Sequence, residues 1–155
     1  MSTSMLLGKQ AAPHVLTHEG REYHFRPLAQ TEKSAYERWI LGRARDVLRT
    51  LYEGEDLAAQ LAILKREALT GVYDFHGETC RAIMSTVEGT LKLAGILMGC
   101  TPDEVLHLWL AHPEEAAHLL ELVIAESMPH QPAASISPAE TRTATAGKNG
   151  EAPQA

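Results

Sequence analysis

Two hydrophobic rhythms divide the chain. Between Val15 and Pro27 the pattern alternates, with Arg21, Tyr23 and Phe25 interleaved with Glu22, His24 and Arg26. A period of two is that of a strand, and Glu19-Gly20 between the two short runs offers the positive backbone torsion of a tight turn. The segment predicts a small β-hairpin that ends at Pro27. An isolated two-stranded ribbon is marginal in water, so Tyr23 and Phe25 are expected either to pack on helices or to complete a sheet with another subunit.

From Thr31 the period becomes helical. Tyr36, Trp39, Ile40, Ala44, Val47, Leu48 and Leu51 form one stripe to about residue 51. Thr31 or Ser34 is the expected cap, and Ser34 and Glu37 are spaced as a capping box. Gly42 lies within this helix, at a cost that close packing would explain and chance would also allow. A turn at Glu53-Gly54-Glu55 leads to a second helix through Leu57, Leu61, Leu64 and Ala68, which Gly71 is placed to end. After the connector Val72–Gly77, one long central helix is expected from about Glu78 to Met98, with Cys80, Met84, Val87, Leu91, Ala94 and Met98 as its main stripe, widened beyond one face by Ile83, Leu93, Ile96 and Leu97. Gly99 stops it. Thr101-Pro102-Asp103-Glu104 then joins a cap, a first-turn proline and a capping-box glutamate, the sharpest helix start in the chain. The short helix that follows carries Val105, Leu106, Leu108, Trp109 and Leu110, His112-Pro113 interrupts it, and a fifth helix runs from Pro113 to Ser127.

The expected fold is therefore mainly α, a single compact helical domain with a short N-terminal β-hairpin over residues 14–128. A flexible N-terminus (1–13) and a disordered C-terminal tail (129–155) flank it, the tail being rich in Ala, Pro, Ser, Thr and Gly without Leu, Val or aromatic residues. At 155 residues a second independent core is not expected, and only 5% aromatic residues suit an aliphatic helical interior. No apolar run reaches the length of a membrane span and no secretory pattern opens the chain, so a soluble protein inside a cell is expected. Cys80 and Cys100 allow at most one disulfide.

The net charge of −6 argues against a general nucleic-acid coat, because a phosphate backbone demands a basic footprint. Its distribution is more informative. Residues 1–92 balance acids against bases, whereas 93–128 hold Asp103, Glu104, Glu114, Glu115, Glu121 and Glu126 with no Lys or Arg. The first helix carries Lys33, Arg38, Arg43, Arg45 and Arg49 against Glu32, Glu37 and Asp46. Such unevenness suggests head-to-tail association of copies, while two ordinary solvated helix faces would look the same. Arg45 and Arg49 are one turn apart, and Arg38 is read as lying elsewhere on the surface.

Candidate chemistry is sparse. His107, His112 and His118 lack the spacing of a zinc-binding His pair, and neither cysteine has a partner cysteine nearby. Glu114, His118 and Glu121 share a helix face, which a solvated acidic surface explains without an ion. His76-Gly77-Glu78 beside Cys80 lacks an identifiable activating base. Gly8-Lys9 has neither the upstream glycines nor the following Ser/Thr of a phosphate loop. The reading is a non-enzyme with no cofactor and no metal.

The run Glu19–Leu28 with its Arg26-Pro27-Leu28 exit, the Tyr36/Trp39/Ile40 helix, and the Thr101-Pro102-Asp103-Glu104-Val105 start before a leucine-rich helix resemble the tail assembly chaperones of long-tailed bacteriophages and related gene-transfer particles, over roughly Val15–Ser127. The resemblance implies a chaperone or adaptor that binds the tape-measure protein, keeps it from aggregating and helps recruit tail-tube protein, in the host cytoplasm during assembly. The alternatives are a structural virion adaptor or ring component retained in the particle, and a small nucleic-acid-binding regulator. A homo-oligomer fits any of them; a membrane partner does not. The partner-binding residues put forward are Tyr36, Trp39, Ile40, Val47, Leu106 and Trp109, each of which also suits a core position, the tryptophans being common interface anchors.

Overall fold

The computed structural model describes residues 14–127, so the expectations for residues 1–13 and for the C-terminal tail lie outside the described residues. The chain is mainly helical and opens with a hairpin. Strands β1 (His14–His18) and β2 (Arg21–Phe25) pair antiparallel with His18 opposite Arg21. Both turn residues take positive φ, 49° at Glu19 and 77° at Gly20, which is the twist a two-residue hairpin needs. Of the two proposed fates for the ribbon, packing on helices is the one observed. Leu16 and Phe25 are fully buried, and β2 lies on the helices near their ends. Arg26 finishes the docking: its backbone amide donates to the Leu97 carbonyl at 3.0 Å, and its guanidinium donates to the carbonyls of Ile96 (2.6 Å) and Leu97 (3.2 Å). A cation thus sits where the helix that ends at Met98 leaves carbonyls unpaired.

Six helices follow. They are α1 (Gln30–Leu51), α2 (Gly54–Leu69), α3 (Glu78–Met84), α4 (Val87–Met98), α5 (Pro102–Ala111) and α6 (Pro113–Ser127). Helix α1 starts before either proposed cap, with Ala29 at its N-cap and no side-chain capping bond. Ser34 and Glu37 form no capping box, because the helix already begins at Gln30 and Ser34 lies inside it; the Glu37 carboxylate accepts from the Phe75 backbone amide at 2.7 Å. The Thr101–Glu104 box does form: Glu104 N–H donates to the Thr101 hydroxyl at 3.3 Å, and Thr101 N–H donates to the Glu104 carboxylate at 3.0 Å. The Thr101 amide foremost, and then the Thr101 hydroxyl, which donates to the same carboxylate at 3.1 Å, hold the Glu104 carboxyl below the usual carboxylate range. Gly71 (φ 81°) and Gly99 (φ 67°) end their helices as the sequence indicates.

The long Glu78–Met98 helix is two helices. At Ser85-Thr86 the hydroxyls take over groups that an unbroken helix would pair: Thr86 donates to the Ile83 carbonyl at 2.7 Å and accepts from Gly89 N–H at 3.0 Å, and Thr90 donates to the Met84 carbonyl at 2.8 Å. A helix can break at low cost where Ser and Thr satisfy its ends. The break resets the helical phase. Gly89, Leu93, Ala94 and Leu97 become the buried face of α4, and Val87, expected in the stripe, is 76% exposed.

The core lies between the hairpin, the first half of α1, and α3 to α6, with Phe25, Tyr36, Ile40, Phe75, Leu93, Leu97, Leu108 and Leu120 buried in it. Helix α2 stands apart. It packs mainly against α1 and buries none of its residues fully. Gly42 also belongs to the outer part of α1, and a Cβ built there meets nothing within 4 Å. Close packing is therefore not its reason, and Gly42→Ala is expected to stabilise the fold by about 0.5–1 kcal/mol, measured as a higher urea midpoint at unchanged slope.

Candidate protein-docking site

Helix α1 is 22 residues long, so it spans roughly 33 Å, and the body of the protein covers only its first half. Tyr36, Ile40, Val47 and Leu51 lie along one stripe of that helix. Their environments differ sharply. Tyr36 and Ile40 are 0% and 1% exposed, whereas Val47 and Leu51 are 49% and 67% exposed. The cause is where α4 begins. The Tyr36 hydroxyl donates to the Gly89 carbonyl at 3.1 Å, and the first turn of α4 meets α1 at the Arg43–Glu88 ion pair of 2.7 Å. Beyond that pair the same apolar stripe continues uncovered by α4.

Two hollows flank the Val47 ridge. On one side Trp39, Gly42, Val47 and Leu51 line a hollow of about 530 Å³. On the other, α1, α2 and α3 enclose a groove of about 400 Å³ with Ile40, Val47, Leu48, Ile63, Leu64 and Ile83 on its walls. Trp39 links the first hollow to a third groove, of about 580 Å³, where α1 meets α4 and α5 over Leu91, Ile96 and Leu106. The Trp39 ring rests on Tyr36 at 5.3 Å between centroids, and the Arg43 guanidinium lies 5.8 Å from its centre. Adjoining hollows thus run from Leu106 past Trp39 to Val47 and Ile63, with Arg26, Glu88, Lys92 and Asp103 among the apolar walls of the groove by Leu106.

The six residues put forward from the sequence divide accordingly. Trp39, Val47 and Leu106 line these hollows. Tyr36 and Ile40 are corrected to core: their end of the stripe is roofed by α4, and a side chain with 0–1% exposure cannot meet a partner without unfolding. Trp109 packs on the core from α5 with partial exposure. Missed were Leu51 at the end of the same stripe and Ile63 on α2, with exposures of 67% and 42%. Leu51 carried a usable signal, standing four residues beyond Val47 and therefore on the same face.

The groups considered for chemistry are dispersed or occupied. Burial, aided by Glu37, pushes the Cys80 thiol up to about 11, so it stays protonated and a poor nucleophile at neutral pH. Burial also raises the Cys100 thiol, and both cysteines are free. His112 accepts or donates to His18 at 3.0 Å, fastening the hairpin to the α5–α6 corner, and His14 meets Glu126 at 3.0 Å. His76 engages Lys33 at 3.5 Å, and its carbonyl accepts from Arg81. Among the described residues no three His, Cys, Asp or Glu side chains are placed to hold a metal ion, and no helix is long and apolar enough to cross a membrane.

No family model, curated protein or solved structure matches this chain. The bacteriophage and viral-tail label is corrected accordingly: nothing it matches ties it to a virus, and what stands is a helical fold with an N-terminal hairpin.

Proposed function

We propose that this protein is a non-enzymatic adaptor or holding chaperone, which takes an apolar-striped helix of a client protein along the outer half of α1. One observation carries the reading. The stripe that forms core at Tyr36 and Ile40 continues in phase to Val47 and Leu51, where no element of the body roofs it. A client helix laid there would meet the Val47 ridge with residues spaced three and four apart. The rim is nearly neutral, since Arg43 is already paired with Glu88 and Asp46 lies beside Arg49 at 3.9 Å. The client face is therefore expected to be apolar rather than strongly charged. Trp39, resting on Tyr36 and partly exposed beside the first hollow, is the aromatic centre such a contact would use.

The test places a photo-crosslinking side chain at position 47 of the full protein, in the cells that make it, and identifies the joined peptides by mass spectrometry. Peptides with an i, i+3, i+4, i+7 apolar pattern from one client are expected. Val47→Asp with Leu51→Asp should then lower affinity for that client at least about 30-fold, the scale of losing a binding hot spot, while the melting temperature holds. Unchanged affinity in the double variant would overturn the proposal.

A further inference from the structure

The side of α1 away from the Val47 stripe carries a different pattern. Arg38 and Arg45 are both exposed and seven residues apart, which puts them about 10.5 Å from each other on one face, with Arg49 a turn further along. Arg38 therefore does not lie elsewhere on the surface: two helical turns bring it back into line with Arg45. Helix α6 carries the complementary arrangement. Glu114 and Glu121 are exposed, also seven residues and about 10.5 Å apart, with exposed His118 between them and no Lys or Arg in the helix. Among the described residues, the ion pairs involve none of Arg38, Arg45, Glu114 or Glu121. Arg38 is steadied on its own helix by donating to the Ser34 carbonyl at 3.3 Å.

We propose that copies of this chain associate head to tail, the Arg38/Arg45 face of α1 in one copy lying along the Glu114/Glu121 face of α6 in the next. Equal spacing lets both ion pairs form at once on two helices laid side by side. A second copy is the occupant because one chain carries both halves of the match on separate helices, and each copy offers the half that its neighbour lacks. In this arrangement each copy gives its α1 face to one neighbour and its α6 face to another, a heterologous contact that propagates as a closed ring or an open row. Exposed ion pairs are individually weak, and the association is correspondingly salt-sensitive and concentration-dependent. This contact leaves the Val47 ridge free, so a row of copies would present a row of client sites.

Sedimentation velocity of the full protein tests this in low salt (about 0.01 M) and high salt (about 1 M), where charges act over about 30 Å and about 3 Å. Reversible growth beyond a dimer is expected in low salt and monomer in high salt. Arg38→Glu with Arg45→Glu should weaken self-association at least about tenfold, as should Glu114→Arg with Glu121→Arg, because each reversal turns two attractions into repulsions. Combining all four substitutions should restore it. Val47→Asp with Leu51→Asp should leave it unchanged, which separates this contact from client binding. A protein that stays monomeric in low salt, association indifferent to either reversal, or a fourfold variant that fails to recover would each overturn the proposal.

Discussion

Gly89→Ala is expected to cost about 3 kcal/mol or more of folding stability, for a change of one methyl group. A Cβ at this position would fall on the Ile83 carbonyl oxygen, 2.7 Å from the Ile83 carbonyl carbon and 2.8 Å from the Tyr36 hydroxyl oxygen. The first two atoms are backbone at the joint between α3 and α4, so no side-chain rotation relieves the clash. Helix α4 would have to move away from α3. That shift would also strain the bond from the Tyr36 hydroxyl to the Gly89 carbonyl, worth roughly 1 kcal/mol. Alanine's better helix propensity returns about 1 kcal/mol, too little to compensate. Against the roughly 5–15 kcal/mol that holds a typical domain folded, the loss is large. Urea denaturation followed by circular dichroism should show a much lower midpoint for Gly89→Ala, while Gly42→Ala, with open space around it, moves the other way. Equal midpoints for wild type and Gly89→Ala would refute the close approach of α4 to Ile83.

Phe25→Ala should release the hairpin and cost about 3–5 kcal/mol, the usual range for emptying a buried phenylalanine site. Phe25 is 0% exposed, as is Leu16, while Tyr23 on the same face of β2 is only partly buried. The ribbon has two strands and cannot persist by its own pairing, so it is held by these two buried side chains, by the Arg26 bonds to the end of α4, and by the exposed or half-buried His18–His112 and His14–Glu126 contacts. Native-state hydrogen exchange gives the sharpest readout. In Phe25→Ala the amides of β1 and β2 should exchange before those of α4 and α5, whereas in the wild type they should be protected to a comparable free energy. Hairpin protection unchanged by the substitution would show that other contacts hold the ribbon. The Val47 ridge lies on the outer half of α1, so whatever fraction of Phe25→Ala stays folded should still bind the client.

Local signals that satisfy themselves were legible from the residues alone. Thr101-Pro102-Asp103-Glu104 starts a helix through bonds within its own four residues, and Gly20, Gly71 and Gly99 supply positive torsions that their turns demand wherever they sit. The break at Ser85-Thr86 was also written in the chain, as a hydroxyl N-cap ahead of Val87, but the apolar residues on both sides read as one continuous stripe. Ser34 and Glu37 show the reverse error. Their spacing suited a capping box, but the helix already begins at Gln30, and the Glu37 carboxylate accepts from a distant amide at Phe75. Of the exposed apolar positions, Val47 and Leu106 could be named from their rhythm, yet so were Tyr36 and Ile40, which share the α1 stripe and are buried.

The sequence by itself determined which side chains share a face, because the period of a helix or strand is a local property of the backbone. It set the hairpin, the helical class, the self-contained caps and the contrast between a basic α1 and an acidic α6. Only the tertiary structure decided which part of a face is covered. Tyr36 and Val47 are indistinguishable by period; they part company because α4 starts at Val87, pinned by the Thr86 cap and the tight seat of Gly89, and so roofs one end of α1 and leaves the other open. Burial depends on where a remote helix ends, and no residue of α1 carries that information.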